Sequence, residues 1–324
     1  MKRSVWFVLL LALTACAPEV QKQRHVEVFP AKVGPTNFYA ADGVYLPLRK
    51  WLPKGKPKAV MLALHGFNDY SRAFEDTGVY FAKRGVAVYA YDQRGFGQTP
   101  YTGVWAGEEN LISDMRQALR QLALTHPKTP LYVLGESMGG AVAIAGLTAE
   151  DVHPIPPVKG LILSAPGLWA REQMSPLYQF ALWAMVNTIP KSEFTGSDLK
   201  ILASNNIPML RRLGADPLII KRTRVDAVYG VVNLMDTAYH RIPQIKTPTL
   251  FLYGARDQVI NPDASNASLA RFSQPIQYAY YPDGFHMLLR DLQAQEVMAD
   301  ILSWMNHPKR SLPSGLGKEY EPKK

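Results

Sequence analysis

Gly135-Glu136-Ser137-Met138-Gly139 has the form G-x-S-x-G, set between the apolar run Leu131-Tyr132-Val133-Leu134 and a stretch carrying Ala141, Ala143, Ala145 and Gly146. A strand that turns sharply into a helix around a serine strains that residue's backbone and lifts its Oγ above the sheet. Side chains two positions either side would collide there, which accounts for both glycines. The serine also stands at a helix N-terminus, where unpaired N–H groups and aligned peptide dipoles favour developing negative charge. Ser137 is therefore the expected nucleophile.

A serine hydroxyl needs a base near neutral pH, and the base needs a carboxylate to hold it. The seven histidines sort by position. His25 lies near the N-terminus, His126 ends a helical pattern, His153 sits in a proline-rich loop and His307 opens the C-terminal segment. His65 belongs to a His-Gly turn and His240 to a helical region. His286 remains, just past the last apolar run in Asp283-Gly284-Phe285-His286. Loops beyond the C-terminal ends of strands are where open α/β sheets place their chemistry. Asp257, just past Thr249-Leu250-Phe251-Leu252-Tyr253, is the expected acid. Asp283 is its rival, although beside Gly284 it also reads as a turn residue. Asp92 follows an earlier strand and precedes Ser137. The sequence Ser137, Asp257, His286 has the Ser…Asp…His order. The oxyanion would take the N–H of Met138 and, from the His65-Gly66-Phe67 turn, that of Phe67.

Elements able to hold these residues recur along the chain. Apolar strands are expected at Lys58 to Leu64, Val86 to Tyr91, Leu131 to Leu134 and Leu161 to Leu163, with two more at Thr249 to Tyr253 and Ile276 to Tyr281. Helical patterns cover Arg72 to Arg84, Glu109 to His126 and Ala294 to Trp304. In the second, Leu111, Ile112, Met115, Leu119 and Leu122 mark one face, and Pro127 and Pro130 stop it. Strands alternating with helices specify an α/β fold with a parallel sheet. Between Leu168 and Ile245 no clear strand stands out, and an apolar helical stretch runs from Leu177 to Val186. The core is accordingly expected over residues 37–167 and 246–305, with 168–245 as a helical lid. The stretch from Asn306 to Lys324 holds three prolines, two glycines and mixed charge, and is expected to be disordered.

The first residues read as an address. Lys2 and Arg3 precede the apolar stretch Val5 to Leu13, followed by small residues and the only cysteine. Leu13-Thr14-Ala15-Cys16 resembles a bacterial lipobox, which implies a signal peptide over 1–15 and a diacylglyceryl group on Cys16. Ala17 is not the Asp often found there in lipoproteins retained at the inner membrane. The expectation is a cell-envelope protein anchored through Cys16, at the outer membrane where the cell has one. Residues 16–36 then read as a tether.

Taken together, His65-Gly66-Phe67, Tyr91-Asp92-Gln93-Arg94-Gly95-Phe96-Gly97, the Gly135-to-Gly140 turn, Asp216-Pro217-Leu218 and Phe285-His286 resemble the serine-hydrolase branch of the α/β-hydrolase superfamily, specifically its monoacylglycerol lipase and lysophospholipase-like group. Glu136 stands where many of those proteins have His, though others carry Glu. The resemblance implies a mostly parallel eight-stranded sheet flanked by helices, with the lid inserted after the sixth strand. It also implies an acyl-enzyme formed on Ser137, with no metal or cofactor. Leu168, Trp169, Met174, Leu177, Phe180, Trp183 and Met185 make the lid apolar, favouring a lipid or other hydrophobic ester as substrate. Most of them packing on the body is the simpler reading.

Composition limits the alternatives. The chain has 324 residues, 47% hydrophobic and 19% charged, which is globular composition. A charge of +9 is spread without the basic block that tracks nucleic acid, and no nucleic-acid or obligatory protein partner is expected. Arg211, Arg212, Lys221, Arg222 and Arg224 are five basic residues over fourteen positions; they read first as a solvated face and second as a contact for anionic lipid. One cysteine excludes a disulfide scaffold. Two other classes stay open: the same triad acting as a thioesterase, acyltransferase or proline-type aminopeptidase, and a non-catalytic envelope lipoprotein.

Overall fold

The computed structural model describes residues 17–22, 29–150, 153–196 and 201–322; the expected signal peptide and Cys16 lie outside them. Three short antiparallel strands lead in: β1 (Lys32–Val33), β2 (Asn37–Tyr39) and β3 (Tyr45–Trp51). The apolar runs read from the sequence follow as β4 (Ala59–Leu64), β5 (Val86–Tyr91), β6 (Leu131–Glu136) and β7 (Val158–Ser164), separated by α1 (Glu75–Ala82), α2 (Glu108–Thr125) and α3 (Met138–Thr148). The inserted stretch contributes α4 (Pro176–Thr188), β8 (Glu193–Thr195), α5 (Ile207–Ala215), β9 (Arg222–Arg224) and α6 (Val225–Arg241). The chain closes with β10 (Thr249–Gly254), α7 (Pro262–Leu269), β11 (Ile276–Tyr281), α8 (Ala294–Asn306) and β12 (Gly317–Tyr320).

The main sheet runs β1-β2-β3-β5-β4-β6-β7-β10-β11-β12, parallel from β5 through β11. Both faces of its centre are covered, as parallel sheets require. Val60, Leu62 and Leu64 of β4 face one core with Leu111, Met115 and Leu119 of α2 and the small residues of α3. Met61 and Ala63 face the other, with Phe81 of α1 and Val297, Ile301 and Trp304 of α8. The two-residue alternation along β4 thus divides its side chains between two helical layers.

The structure corrects several expectations. The sheet has ten strands rather than eight, the additions being short edge strands. Counted from the N-terminus, the insertion therefore follows the seventh strand, not the sixth. The segment after Asn306 is ordered: β12 pairs antiparallel with β11, Leu312 is buried, and the Ser314 N–H donates to Asp300 Oδ1 at 2.9 Å. A short polar edge strand lacks the apolar run by which the central strands announce themselves.

The insertion is not wholly helical, because β8 and β9 pair as an antiparallel ribbon. Nor is it all lid: Leu168 and Ala170 are buried, and Leu234, Ala238 and Tyr239 of α6 join the core beside α3. Finally, the described part of residues 16–36 is docked rather than free. The Glu19 N–H donates to Asp226 Oδ2 at 3.0 Å, and the Gln21 N–H to the Trp105 carbonyl at 2.9 Å. Residues 32–33 are already β1.

Candidate active site

Ser137 occupies the turn between β6 and α3 with φ 51° and ψ −121°, a left-handed conformation costly for a residue with a side chain. Its N–H donates to the Ser164 carbonyl at 3.0 Å, and its own carbonyl accepts from Gly140 and Gly167. The flanking glycines are required by space. A Cβ at Gly139 would lie 2.0 Å from the Leu64 carbonyl oxygen, and one at Gly135 would lie 2.5 Å from that of Gly139.

β6, β7, β10 and β11 are neighbours in the sheet, so residues just beyond the C-terminal ends of β6, β10 and β11 lie along one edge. Asp257 and His286 are buried there, with His286 Nδ1 2.8 Å from Asp257 Oδ2. The other carboxylate oxygen, Oδ1, accepts the N–H groups of Val259 and Ile260 at 2.7 and 3.0 Å. One oxygen is thereby fixed by backbone and the other is turned to the ring. With Nδ1 donating to Asp257, Nε2 is left as the basic nitrogen.

The rival carboxylates are engaged elsewhere. Asp283 pairs at the surface with Arg256, and Asp92 accepts the N–H groups of Ser71 and Gln98 and the Ser71 hydroxyl. The structure therefore brings Asp257 and His286 together, whereas Ser137 Oγ has no hydrogen-bond partner among the described residues. Catalytic hydrogen bonds commonly tighten only when substrate is bound.

The turn after β4 lies against Ser137: a Cβ at Gly66 would be 3.2 Å from Ser137 Cβ. Its shape is set by buried His65. The ring accepts the Gln93 N–H at Nε2 (2.9 Å), so Nδ1 carries the hydrogen and donates to the Gly66 carbonyl (2.8 Å). Burial pushes the proton affinity of His65 down, against the weaker pull of that carbonyl, Asp69 and Asp92. Arg94 in turn fixes the Gln93 loop by forking onto Asp42 and Asp114 at 2.6–2.9 Å. Burial pushes Asp114 up to about 6 despite that partner. The N–H groups of Phe67 and Met138, expected as oxyanion donors, carry no hydrogen bond among the described residues.

Several site-supporting residues were not singled out from sequence. Arg290 reaches Asp69 at 2.7 Å and Glu136 at 3.2 Å. Asp291 accepts the Phe285 N–H and the Ser204 hydroxyl. Charged residues in loops read as solvated, and no spacing rule pairs positions so far apart. The lid's apolar residues divide: Leu168 is core, whereas Leu177, Phe180 and Trp183 on α4 are 71%, 63% and 59% exposed. Arg222 and Arg224 of the basic run pair with Glu193 and with Asp226 and Glu19. Among the described residues no cluster of His, Cys, Asp or Glu is placed to hold a metal ion, and no helix is long and apolar enough to cross a membrane.

Comparison with known proteins gives concordant matches. A family model described as Serine aminopeptidase, S33 matches residues 55–293. The monoglyceride lipase of Rattus norvegicus is 28% identical over 283 residues, spanning 82% of this chain and 88% of that protein. The monoacylglycerol lipase of Mycolicibacterium smegmatis is 23% identical over 273 residues, spanning 83% and 95%. Among solved structures, a soluble variant of the Saccharomyces cerevisiae monoglyceride lipase in complex with a substrate analog has a TM-score of 0.69 at 18% identity, covering 89% of this chain and 97% of that one. The Paleococcus ferrophilus monoacylglycerol lipase gives 0.65 at 20% identity, covering 80% and 98%. The two structural likenesses establish the α/β-hydrolase fold.

Proposed function

Because the chain belongs to the serine aminopeptidase S33 family of α/β-hydrolases, we propose that it is a membrane-anchored serine hydrolase cleaving carboxylic esters of the monoacylglycerol or lysophospholipid kind. The observation that carries this reading is the buried His286–Asp257 pair on the sheet edge that also presents Ser137 in a strained turn. The monoglyceride lipases among its relatives, and the exposed apolar side chains of α4, support a lipid ester over a peptide.

In this reading Ser137 Oγ attacks the ester carbonyl while His286 Nε2 takes the hydroxyl proton. The oxyanion is held by the N–H groups of Phe67 and Met138. Asp257 keeps Nδ1 protonated and stabilises the imidazolium as it forms. His286 returns the proton to the leaving alcohol, giving an acyl-enzyme. A water deprotonated by His286 then releases the acid and restores Ser137. Cys16 carries the acyl chains of the anchor, each buried CH₂ adding about 0.8 kcal/mol to membrane attachment.

The test is a panel of monoacylglycerol, lysophospholipid, thioester and prolyl-amide substrates on purified protein, with fluorophosphonate labelling of wild type and Ser137→Ala. Ester turnover and labelling that both vanish in the variant are expected. Undiminished ester turnover by Ser137→Ala removes the assignment, and prolyl-amide preference would move the reading to an aminopeptidase. For the anchor, Cys16→Ser is expected to shift the protein from the membrane to the soluble fraction; unchanged retention would count against lipidation.

A further inference from the structure

Three segments must keep their places for the proposed chemistry: the turn after β4, the turn holding Ser137, and the loop carrying His286. One residue links all three. Arg290 belongs to the His286 loop, four residues past the imidazole, and its side chain is 9% exposed. Its Nη1 lies 2.7 Å from Asp69 Oδ2, just past Gly66 and Phe67. Its Nη2 lies 3.2 Å from Oε2 of Glu136, the residue before Ser137. The backbone of Arg290 is also held, its carbonyl accepting from Asn206 Nδ2 at 2.9 Å and its N–H donating to the Met287 carbonyl.

The charge count is uneven. One guanidinium faces two carboxylates, and Glu136 Oε1 and Arg290 Nε are buried with no partner among the described residues. A buried carboxylate so lightly hydrogen-bonded depends on its counter-ion, since an unpaired buried charge is costly. Burial pushes Glu136 up, while Arg290 and a charged His286 pull it down. Glu136 and His286 therefore act on each other electrostatically. The charged groups acting on the His286 ring are Asp257 from the loop after β10, Glu136 at the end of β6, and Asp291 from its own loop.

We propose that Arg290 is a positioning residue that ties together the Phe67, Ser137 and His286 segments and, by neutralising Glu136, sets the charge under which His286 takes a proton. The inference rests on the reading of Ser137 and His286 as nucleophile and base. It gives Glu136 a role: at this position a carboxylate is matched by the Arg four residues beyond the histidine. Lysine could neutralise the pair, but a compact ammonium would not hold two carboxylates with the same fixed geometry.

The test measures the rate of fluorophosphonate labelling at Ser137, and kcat/KM for a soluble short-chain ester, against pH in wild type, Arg290→Gln, Arg290→Lys, Glu136→Gln and the Arg290→Gln/Glu136→Gln pair. The acid limb reports protonation of the base. Removing the guanidinium leaves the carboxylates to favour the imidazolium, so the limb moves to higher pH by about 0.5 unit or more; Glu136→Gln moves it the other way. The double variant returns near wild type, and Arg290→Lys restores the limb while kcat stays reduced. In Arg290→Gln, kcat falls about 10-fold or more with KM within about twofold, because positioning acts on the transition state more than on binding. A merely structural role would not give shifts of opposite sign. An unmoved limb in Glu136→Gln, or movement in the same direction for both single variants, overturns the proposal; should Arg290→Gln fail to fold, Glu136→Gln and Arg290→Lys decide it. Wild-type protein that is not labelled at Ser137 would instead overturn the functional reading beneath it.

Discussion

Met287, the neighbour of His286, donates its N–H to the Ala203 carbonyl at 2.9 Å, which joins the His286 loop directly to the inserted segment. The contact is one of a series. Leu202 N–H donates to the side chain of Gln258, next to Asp257, and Leu292 N–H to that of Asn205. Ser204 donates to Asp291, whose second oxygen holds the Phe285 N–H at 2.7 Å. Residues 202–206 therefore splint both the Asp257 loop and the His286 loop. The inserted segment and the placement of the imidazole are mechanically linked.

Ser204→Ala tests the splint. The substitution removes a buried donor from a buried carboxylate, a loss of about 1–3 kcal/mol in stability. Asp291 would then hold Phe285 less firmly, and kcat for a soluble ester is expected to fall about 10-fold with the fold retained. Denaturant unfolding and steady-state kinetics together check this, and wild-type values in both would refute the coupling.

Replacing Asp257 by Asn keeps the shape but offers the His286 ring an ambiguous partner. The wrong tautomer places the hydrogen on Nε2, where a base is needed, and in enzymes of this design such a change lowers kcat about 10⁴-fold. A loss on the order of 10³–10⁴-fold is expected here, with fluorophosphonate labelling slowed in parallel. Asp283→Asn, at an exposed pair with Arg256, should leave turnover near wild type. The reverse ranking would reassign the acid.

The strands that carry this site were legible because they are continuous apolar runs, and Ser137 because its pattern of glycines falls within five residues, although the clash that demands Gly139 is with Leu64 on β4. Asp257 and His286 were reachable by position past a strand. The splint and the Arg290 cluster were not. Ser204 and Asp291 are 87 positions apart and Glu136 and Arg290 are 154 apart, so only the assembled sheet edge pairs them. These short strands were missed for a local reason: Arg222-Thr223-Arg224 and Gly317-Lys318-Glu319-Tyr320 pair through backbone and carry no apolar alternation. Docking of Glu19 to Gln21 was hidden in the same way, because its contacts are with backbone and with charges over 200 residues distant.

His65 makes stability depend on pH with a definite sign. Its folded proton affinity is lowered by burial from an ordinary value of 6.5, so below that pH the unfolded chain binds a proton that the folded chain resists. The contribution is present in full above about 6.5 and is lost as pH falls towards the folded value. Urea unfolding of wild type should weaken on that side more steeply than unfolding of His65→Gln, which has no proton to gain. Parallel pH profiles for the two proteins would contradict the buried neutral ring.

Arg224 and Glu19 separate a buried pairing from an exposed one at the place where the N-terminal segment meets the lid. Arg224 lies 2.6 Å from Asp226, whose side chain is fully buried, and 2.9 Å from the half-exposed Glu19. Arg224→Met would leave the Asp226 carboxylate with the Glu19 N–H but no cation, and loss of one member of a buried pair costs about 3–5 kcal/mol. Glu19→Ala removes only an exposed partner and should leave unfolding stability unchanged, because solvent screens such pairs. Deleting residues 17–22 takes away the Asp226 and Trp105 backbone contacts as well. Amide exchange should then quicken around 104–107 and 224–226 while the central strands stay protected. Equal stability of Arg224→Met and wild type, or unchanged exchange after the deletion, would show that this junction does not hold the lid.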